Sequence, residues 1–461
     1  MNRLLMVTAA LFLSMSALAA LPDQTAVSDA IKLKVEKFTL KNGLTVLLHE
    51  DHSAPFFSYQ QWFRVGSRNE KPGLTGLAHF FEHLMFKGTP KFPGDSFDRL
   101  IRANGGAANA YTTRDFTAYY MNLPTDKLAL AIDIESDRMR NLNFNQKEID
   151  SEREVVKEER RFRVDNEVSG LLDEKVWRTV YKVHPYHWPV IGSMVDLNRA
   201  TIEDMKEFYR VHYAPNNALV ILVGDFNSAQ AKKMITQAYE NIPSQQLPVY
   251  NPTTEPVQMS ERRAVIKKEV QNISAAVAFR TVASGDKDMY ALDLAASILG
   301  GGNSSRLYRR LVYHQQSVSA VNVSSYTPGD PGMFRVGLSL KPGQDPEAVF
   351  NTVSAEVYKL RKQPITDAEL EKAKNWVMKD YVESLKSISG KARALAIHEI
   401  YGQDYQLMFR DLEKYIAVTK EQIQTAAEKY LKPTARTIVW VQPGTAEATP
   451  APASEATTGG Q

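Results

Sequence analysis

Five residues in the first quarter of the chain have the types and spacing for metal chemistry: His79-Phe80-Phe81-Glu82-His83. On a helix, His79 and His83 lie four apart, one turn above the other, so their imidazoles share a face. Two imidazoles at that spacing can hold one zinc ion. Glu82 falls beside the same face, where its carboxylate is suited to take a proton from a water activated by the metal. The order is the inverse of the H-E-x-x-H helix of other zinc enzymes. The competing reading is a surface helix that carries two histidines by coincidence.

A catalytic zinc usually has three protein ligands and one open position. The helical pattern over 146–164 offers Glu148, Glu152, Glu154, Glu158 and Glu159, most of which must form a solvated face. Glu152 and Glu159 are seven apart, close to two whole turns, and share a stripe. Val155 and Val156 between them point to a buried side. A carboxylate there needs a partner, and a metal is a good one. Spacing makes Glu159 the candidate third ligand and Glu158 the next.

The elements that must position these groups follow from periodicity and turn residues. Segments 35–40 and 44–49 read as a hairpin around Asn42-Gly43. A strand over 57–65 precedes the His79 helix, and a short helix over 95–104 ends at Gly105-Gly106. Segments 107–112 and 116–122 alternate like paired strands. Helices are predicted over 125–141, 146–164, 202–209 and 228–241, with a buried strand at 218–224. Pro243, Pro248, Pro252 and Pro256 then punctuate a polar stretch without periodicity. After it the order of elements starts again, from strands at 264–268 and 275–279 to a last strand at 437–441. The chain therefore reads as α+β, a duplicated unit of about 200 residues. The expected divisions are a leader over 1–20, a metal-binding half over 21–242, a linker over 243–262, a homologous half without the metal motif over 263–441, and a disordered tail over 442–461.

Composition excludes several classes. With 461 residues, 43% of them hydrophobic and 24% charged, the chain is an ordinary globular protein of more than one domain. A net charge of +3 gives no argument for nucleic acid or an anionic membrane surface. Without cysteine there is no disulfide, thiol nucleophile or thiolate ligand. Arg3, an uncharged apolar run over 4–20 and Ala17-Leu18-Ala19 have the layout of a signal peptide cleaved after Ala19 or Ala20. An uncleaved anchor is the alternative. No later run is long enough to span a bilayer, so the mature protein is expected to be exported without a membrane anchor, to a bacterial periplasm.

The stretch Gly66-Ser67-Arg68-Asn69-Glu70, Gly76 to Thr89, Asn109-Ala110-Tyr111-Thr112, Ser151 to Glu159, His184-Pro185-Tyr186 and Tyr213-Ala214-Pro215-Asn216-Asn217 resembles the pitrilysin/insulinase family of zinc metallopeptidases. The similarity is greatest to its branch of short two-domain subunits, such as the mitochondrial processing peptidase beta subunit. The resemblance implies two similar domains, each an antiparallel sheet packed with helices. It implies one zinc per chain held by His79, His83 and Glu159, with Glu82 as base and Glu152 supporting the ligands. It also implies that peptide substrates lie as an added strand against the segment with Asn109 and Ala110; a turn residue is the alternative for Asn109. In one respect this chain departs from the pattern. Active members carry an Arg and, seven residues on, a Tyr in the second half. Counted from Ser305-Arg306-Leu307-Tyr308, those positions are Val312 and Ser319. Either Arg309, Arg310 or Tyr313 replaces the pair, or a paralogous subunit supplies it in a heterodimer, with a homodimer as the alternative assembly.

The expected function is therefore an exported zinc endopeptidase or oligopeptidase subunit. The alternatives are a peptide-binding or assembly subunit that no longer cuts, and a zinc-storage protein. N-terminal sequencing of the mature protein should begin at Ala20 or Leu21; a product that retains Met1 and stays with the membrane would overturn the periplasmic expectation.

Overall fold

The computed structural model describes residues 33–94 and 96–444. The leader expected over 1–20 and the tail beyond Gly444 lie outside the described residues. In the first half, β1 (Glu36–Thr39), β2 (Thr45–Glu50), β3 (Phe56–Phe63), β4 (Ala107–Thr112), β5 (Thr117–Pro124) and β6 (Ala218–Gly224) form one sheet in the order β1-β2-β6-β3-β5-β4. In the second half, β7 (Arg262–Lys268), β8 (Ser274–Arg280), β9 (Val318–Tyr326), β10 (Met333–Leu340) and β11 (Arg436–Pro443) form another in the order β7-β11-β8-β10-β9. Strand for strand, β2-β6-β3-β5-β4 repeats as β7-β11-β8-β10-β9. Each sheet has a single parallel pair, β2 with β6 and β7 with β11. The duplication read from the order of elements is thus present in the topology.

The uninterrupted apolar run Ala218 to Val223 explains why β6 is central: every residue of it is buried, as a strand covered on both faces requires. Two separate apolar cores fill the space between each sheet and its own helices. The opposite faces are closed by exchange. The Val168–Val180 helix, from the first half, packs on β7, β8 and β11. The Ile388–Gly402 helix, from the second, packs on β3 and β6. Neither half is covered by its own sequence alone.

The 243–262 stretch, read as a linker, has no regular structure up to Arg262, but it is strapped down. Glu255 accepts backbone N–H groups of Lys182, Val183 and His184 at 2.8 to 3.1 Å. The hairpin tips of the sheets also meet. Asp115, in the β4–β5 turn, accepts from Gly329 N at 2.9 Å in the β9–β10 turn, and from the hydroxyls of Tyr186 at 2.5 Å and Tyr401 at 2.9 Å.

Lys391 on the exchanged helix donates to Asp51, just beyond β2, at 2.5 Å. That hydrogen bond holds the Asp51 carboxyl down to about 2, against the opposing effect of burial. A depressed carboxylate contributes stability that is complete above its ordinary value, about 3.9, and is lost as pH falls through the folded value. The melting temperature of Asp51→Asn should therefore lie below wild type near neutral pH and converge with it towards pH 2, as followed by circular dichroism.

Candidate metal centre

The Leu77–Leu84 helix buries Leu77, Ala78, Phe80, Phe81 and Leu84 in the first core, which turns His79, Glu82 and His83 to the other side. Its start is fixed by Gly76, at φ +94, where an added Cβ would sit 2.6 Å from the Ile191 carbonyl oxygen. The buried Glu70 carboxylate fills the cap, accepting from Gly76 N and Ala78 N at 2.8 Å each. This satisfies first-turn N–H groups that have no partner within the helix.

The Gln146–Arg160 helix crosses against it. Val156 is buried between the glutamates, whereas Val155 is 47% exposed, so only one of the two valines closes that side. Glu159 Oε2 lies 3.1 Å from His83 Nε2 and 3.6 Å from His79 Nε2. A ligand atom from each of the three lies within 4.8 Å of the others. A tetrahedral zinc with ordinary bond lengths separates its ligand atoms by about 3.4 Å, so this donor set fits one zinc ion. Among the described residues it is the one group of three such side chains. Glu158 is 69% exposed, pairs with Arg161 and stays outside the cluster.

Glu152 lies behind His83, its Oε1 2.9 Å from His83 Nδ1. That contact leaves Nε2 directed at Glu159, the usual arrangement of a carboxylate behind a metal-binding imidazole. Glu82 Oε2 accepts from the Thr112 hydroxyl at 2.7 Å, so the carboxylate is tied to β4. Asn109 and Ala110 are on the same strand, which is the outer edge of the sheet. Ala110 faces the metal helix and is buried, while Asn109 is on the opposite face with its Oδ1 on Ala110 N at 2.8 Å.

Burial pulls the His79 imidazole down to about 4, reinforced by His83. Burial would lower His83 too, but Glu152 and Glu159 push it up to about 9. Burial raises Glu82, and the Thr112 hydrogen bond opposes it. The His83 hydrogen bond holds Glu159 below the usual carboxylate range against burial.

Three contributors escaped the sequence reading. Lys87 donates to Glu152 at 2.7 Å; Arg163 lies 3.1 Å from Glu159 Oε1; Thr112 holds Glu82. Each had a positional signal. Lys87 and Arg163 are four residues beyond His83 and Glu159 on a helical period. Thr112 is two beyond Ala110 on a strand, hence on the same face. In the second half, Val312 packs partly against the core and Ser319 donates to Ser339 O at 3.2 Å. Arg309, Arg310 and Tyr313 are exposed on a π-helical segment, Tyr308–His314.

Fold and site together define a class, a metallopeptidase of two matched halves, only one of which, among the described residues, gathers a set of side chains that could hold a metal ion. Residues 45–193 match the model described as Insulinase (Peptidase family M16), and residues 199–376 match Peptidase M16 inactive domain. The zinc protease PqqE of Helicobacter pylori is 33% identical over 89% of this chain and 93% of its own length. A probable mitochondrial-processing peptidase subunit beta from Arabidopsis thaliana is 26% identical over 73% of this chain and 65% of its own. The crystal structure of a protease from Helicobacter pylori superposes with a TM-score of 0.86 and 32% identity, covering 89% of this chain and all of that one. The chain belongs to peptidase family M16, in its short two-domain branch.

Substitution should separate ligands from the proposed base. His79→Ala, His83→Ala and Glu159→Gln should each lower zinc content measured by elemental analysis. Glu152→Gln should weaken zinc about 10–100-fold. Glu82→Gln should keep zinc and lose about 100–10,000-fold in turnover. Normal zinc in Glu159→Gln would place the third ligand elsewhere, with Glu158 tested next.

Proposed function

We propose that this chain is the metal-carrying subunit of an exported oligopeptidase, with His79, His83 and Glu159 holding one zinc ion and Glu82 as the base. The observation that carries the reading is the convergence of those three donors beside a carboxylate tied to an open sheet edge. When bound, zinc polarises the scissile carbonyl and acidifies the attacking water. Glu82, its affinity for a proton raised by burial, takes the proton from that water and returns it to the leaving amine. Glu152 fixes the orientation of His83. A peptide enters as an added strand beside β4, meeting backbone groups at Asn109 and Ala110. The Asn109 side chain occupies Ala110 N–H in the free protein and must turn aside for that strand. Export to the periplasm rests on the leader pattern in the first twenty residues.

The second half supports a shared site. A carbonyl under attack gains negative charge, and loss of one donor aimed at it typically costs about 100–1,000-fold in turnover. Val312 has no donor, and the Ser319 hydroxyl is engaged with Ser339. A paralogous subunit with an Arg/Tyr pair would supply what is missing.

The purified chain alone should be weakly active on peptides, and a one-to-one complex with such a paralogue should restore cleavage. Full activity in a chain shown by light scattering to be monomeric or homodimeric would overturn the heterodimer and point to Arg309, Arg310 or Tyr313.

A further inference from the structure

The sheet edge proposed to receive a peptide has two faces, and only one belongs to the metal. On β4, Ala108, Ala110 and Thr112 share the side of the Leu77–Leu84 helix: Ala110 pairs with Tyr119, whose hydroxyl donates to Phe81 O, and Thr112 reaches Glu82. Asn109 and Tyr111 face the other way, paired with Tyr120 and Ala118. Successive side chains of a strand alternate between faces, so every second residue of a peptide added to β4 must point to that opposite side.

A cavity of about 340 Å³ lies there, lined by Gln60, Tyr111, Tyr120, Ser389, Gly390 and Arg393. Its lining holds a cation and no carboxylate. The Arg393 guanidinium sits over the Tyr111 ring, 5.3 Å from the centroid. Among the described residues Arg393 has no ion-pair partner. The Tyr111 hydroxyl is buried and has no hydrogen-bond partner among them, an uncommon state for a buried polar atom. The neighbouring Gln60 amide is already engaged with Ser58, Ser389 O and Trp62 and makes no bond to that hydroxyl. The first turn of the Ile388–Gly402 helix adds its positive end. Arginine on an aromatic face keeps its planar fork free for a carboxylate.

We infer that this cavity is a specificity subsite for a carboxylate-bearing residue of the peptide, received by Arg393 and the Tyr111 hydroxyl on the face of β4 opposite the metal. The inference rests on the edge-strand reading above and adds a substrate class: peptides with an acidic side chain, or a terminal carboxylate, at an alternate position near the bond cut.

The test is binding, which does not require turnover. Zinc-loaded Glu82→Gln chain is titrated, by fluorescence anisotropy, with a neutral fluorescent nonapeptide in which one Glu, or one Gln, is walked along the sequence. A second set carries an amidated C-terminus. Glu should bind about three- to tenfold more tightly than Gln at one position, or at positions two apart. Adding Arg393→Gln should abolish that preference, and Arg393→Glu should turn it towards Lys. A preference that depends on the free C-terminus but not on internal Glu identifies the terminal carboxylate as the occupant. No preference at any position, no binding, or a preference that survives Arg393→Gln overturns the subsite. The peptidase reading is judged separately, by whether wild-type chain with its partner cuts the neutral peptide.

Discussion

Everything in the first half depends on keeping two crossed helices in register, so that a carboxylate from one stands between two imidazoles of the other. Burying Glu159, His79 and His83 together removes water from groups that need it. The cost is offset at His83, which has a carboxylate at hydrogen-bonding distance on each ring nitrogen, with Lys87 continuing the alternation outward from Glu152; His79 stands 3.6 Å from Glu159, and its buried Nδ1 has no partner among the described residues. The two histidines show how finely this is set. Burial lowers both, and His79 is the more deeply buried; His79 is pulled down to about 4, whereas His83 is pushed up to about 9. Burial and the neighbouring His83 act on His79, while His83 has two carboxylates in hydrogen-bonding contact, Glu152 and Glu159. A small rotation of either helix would break that alternation and strand a charge.

Register is held from outside the helices. Glu70 pins the N-terminus of one, and the contact of Gly76 with Ile191 leaves no room for slippage. The hairpin that carries β4 is held at its tip by Asp115, whose partners come from both halves. The second half therefore acts on the chemistry without contributing a ligand: it fixes the strand that holds Glu82 and closes the outer face of the first sheet with its Ile388–Gly402 helix.

Much of this was legible in the sequence. The Asn42-Gly43 hairpin, the alternating pairs at 107–112 and 116–122, and the apolar run at 218–224 all state their structure locally. So do His79 and His83, because four residues is one helical turn. The placement of Glu159 beside the histidines, with Glu158 outside, was legible as a difference of one residue in seven, which decides the face of a helix. The Val168–Val180 helix was not anticipated. Gly170 weakens its first turn as a helical signal, yet is required there, since a Cβ would lie 2.1 Å from Arg163 O. Its apolar side, Leu172, Val176, Trp177 and Val180, packs on the sheet of the other half, a tertiary fact that no local window contains. The anchoring of the 243–262 strap escaped for the same reason: Pro-rich composition reports the absence of period, whereas Glu255 finds its donors about seventy residues earlier.

The outer faces of the two sheets differ in chemistry. The second sheet presents Ala276, Ala278, Val439 and Val441 to the exchanged helix in a mostly apolar contact, with Arg335 and Asp173 paired at its side. The first presents Ser58, Gln60 and Asn122, all hydrogen-bonded in a chain through Ser389. A dry face is the simpler way to bind two layers, and a buried polar one is justified only if every group is satisfied. In the first sheet it is satisfied up to the edge, and there it stops, at the buried Tyr111 hydroxyl beside the exposed Arg393. The polar layer thus runs from the middle of the sheet to the strand beside the His79–His83–Glu159 cluster and ends in one buried hydroxyl without a partner among the described residues. Among the described residues, the corresponding strand of the second half, β9, flanks no cluster of metal-ligand side chains. The outer face of the first sheet is thus polar up to the edge strand that carries Thr112, where that of the second is mostly apolar.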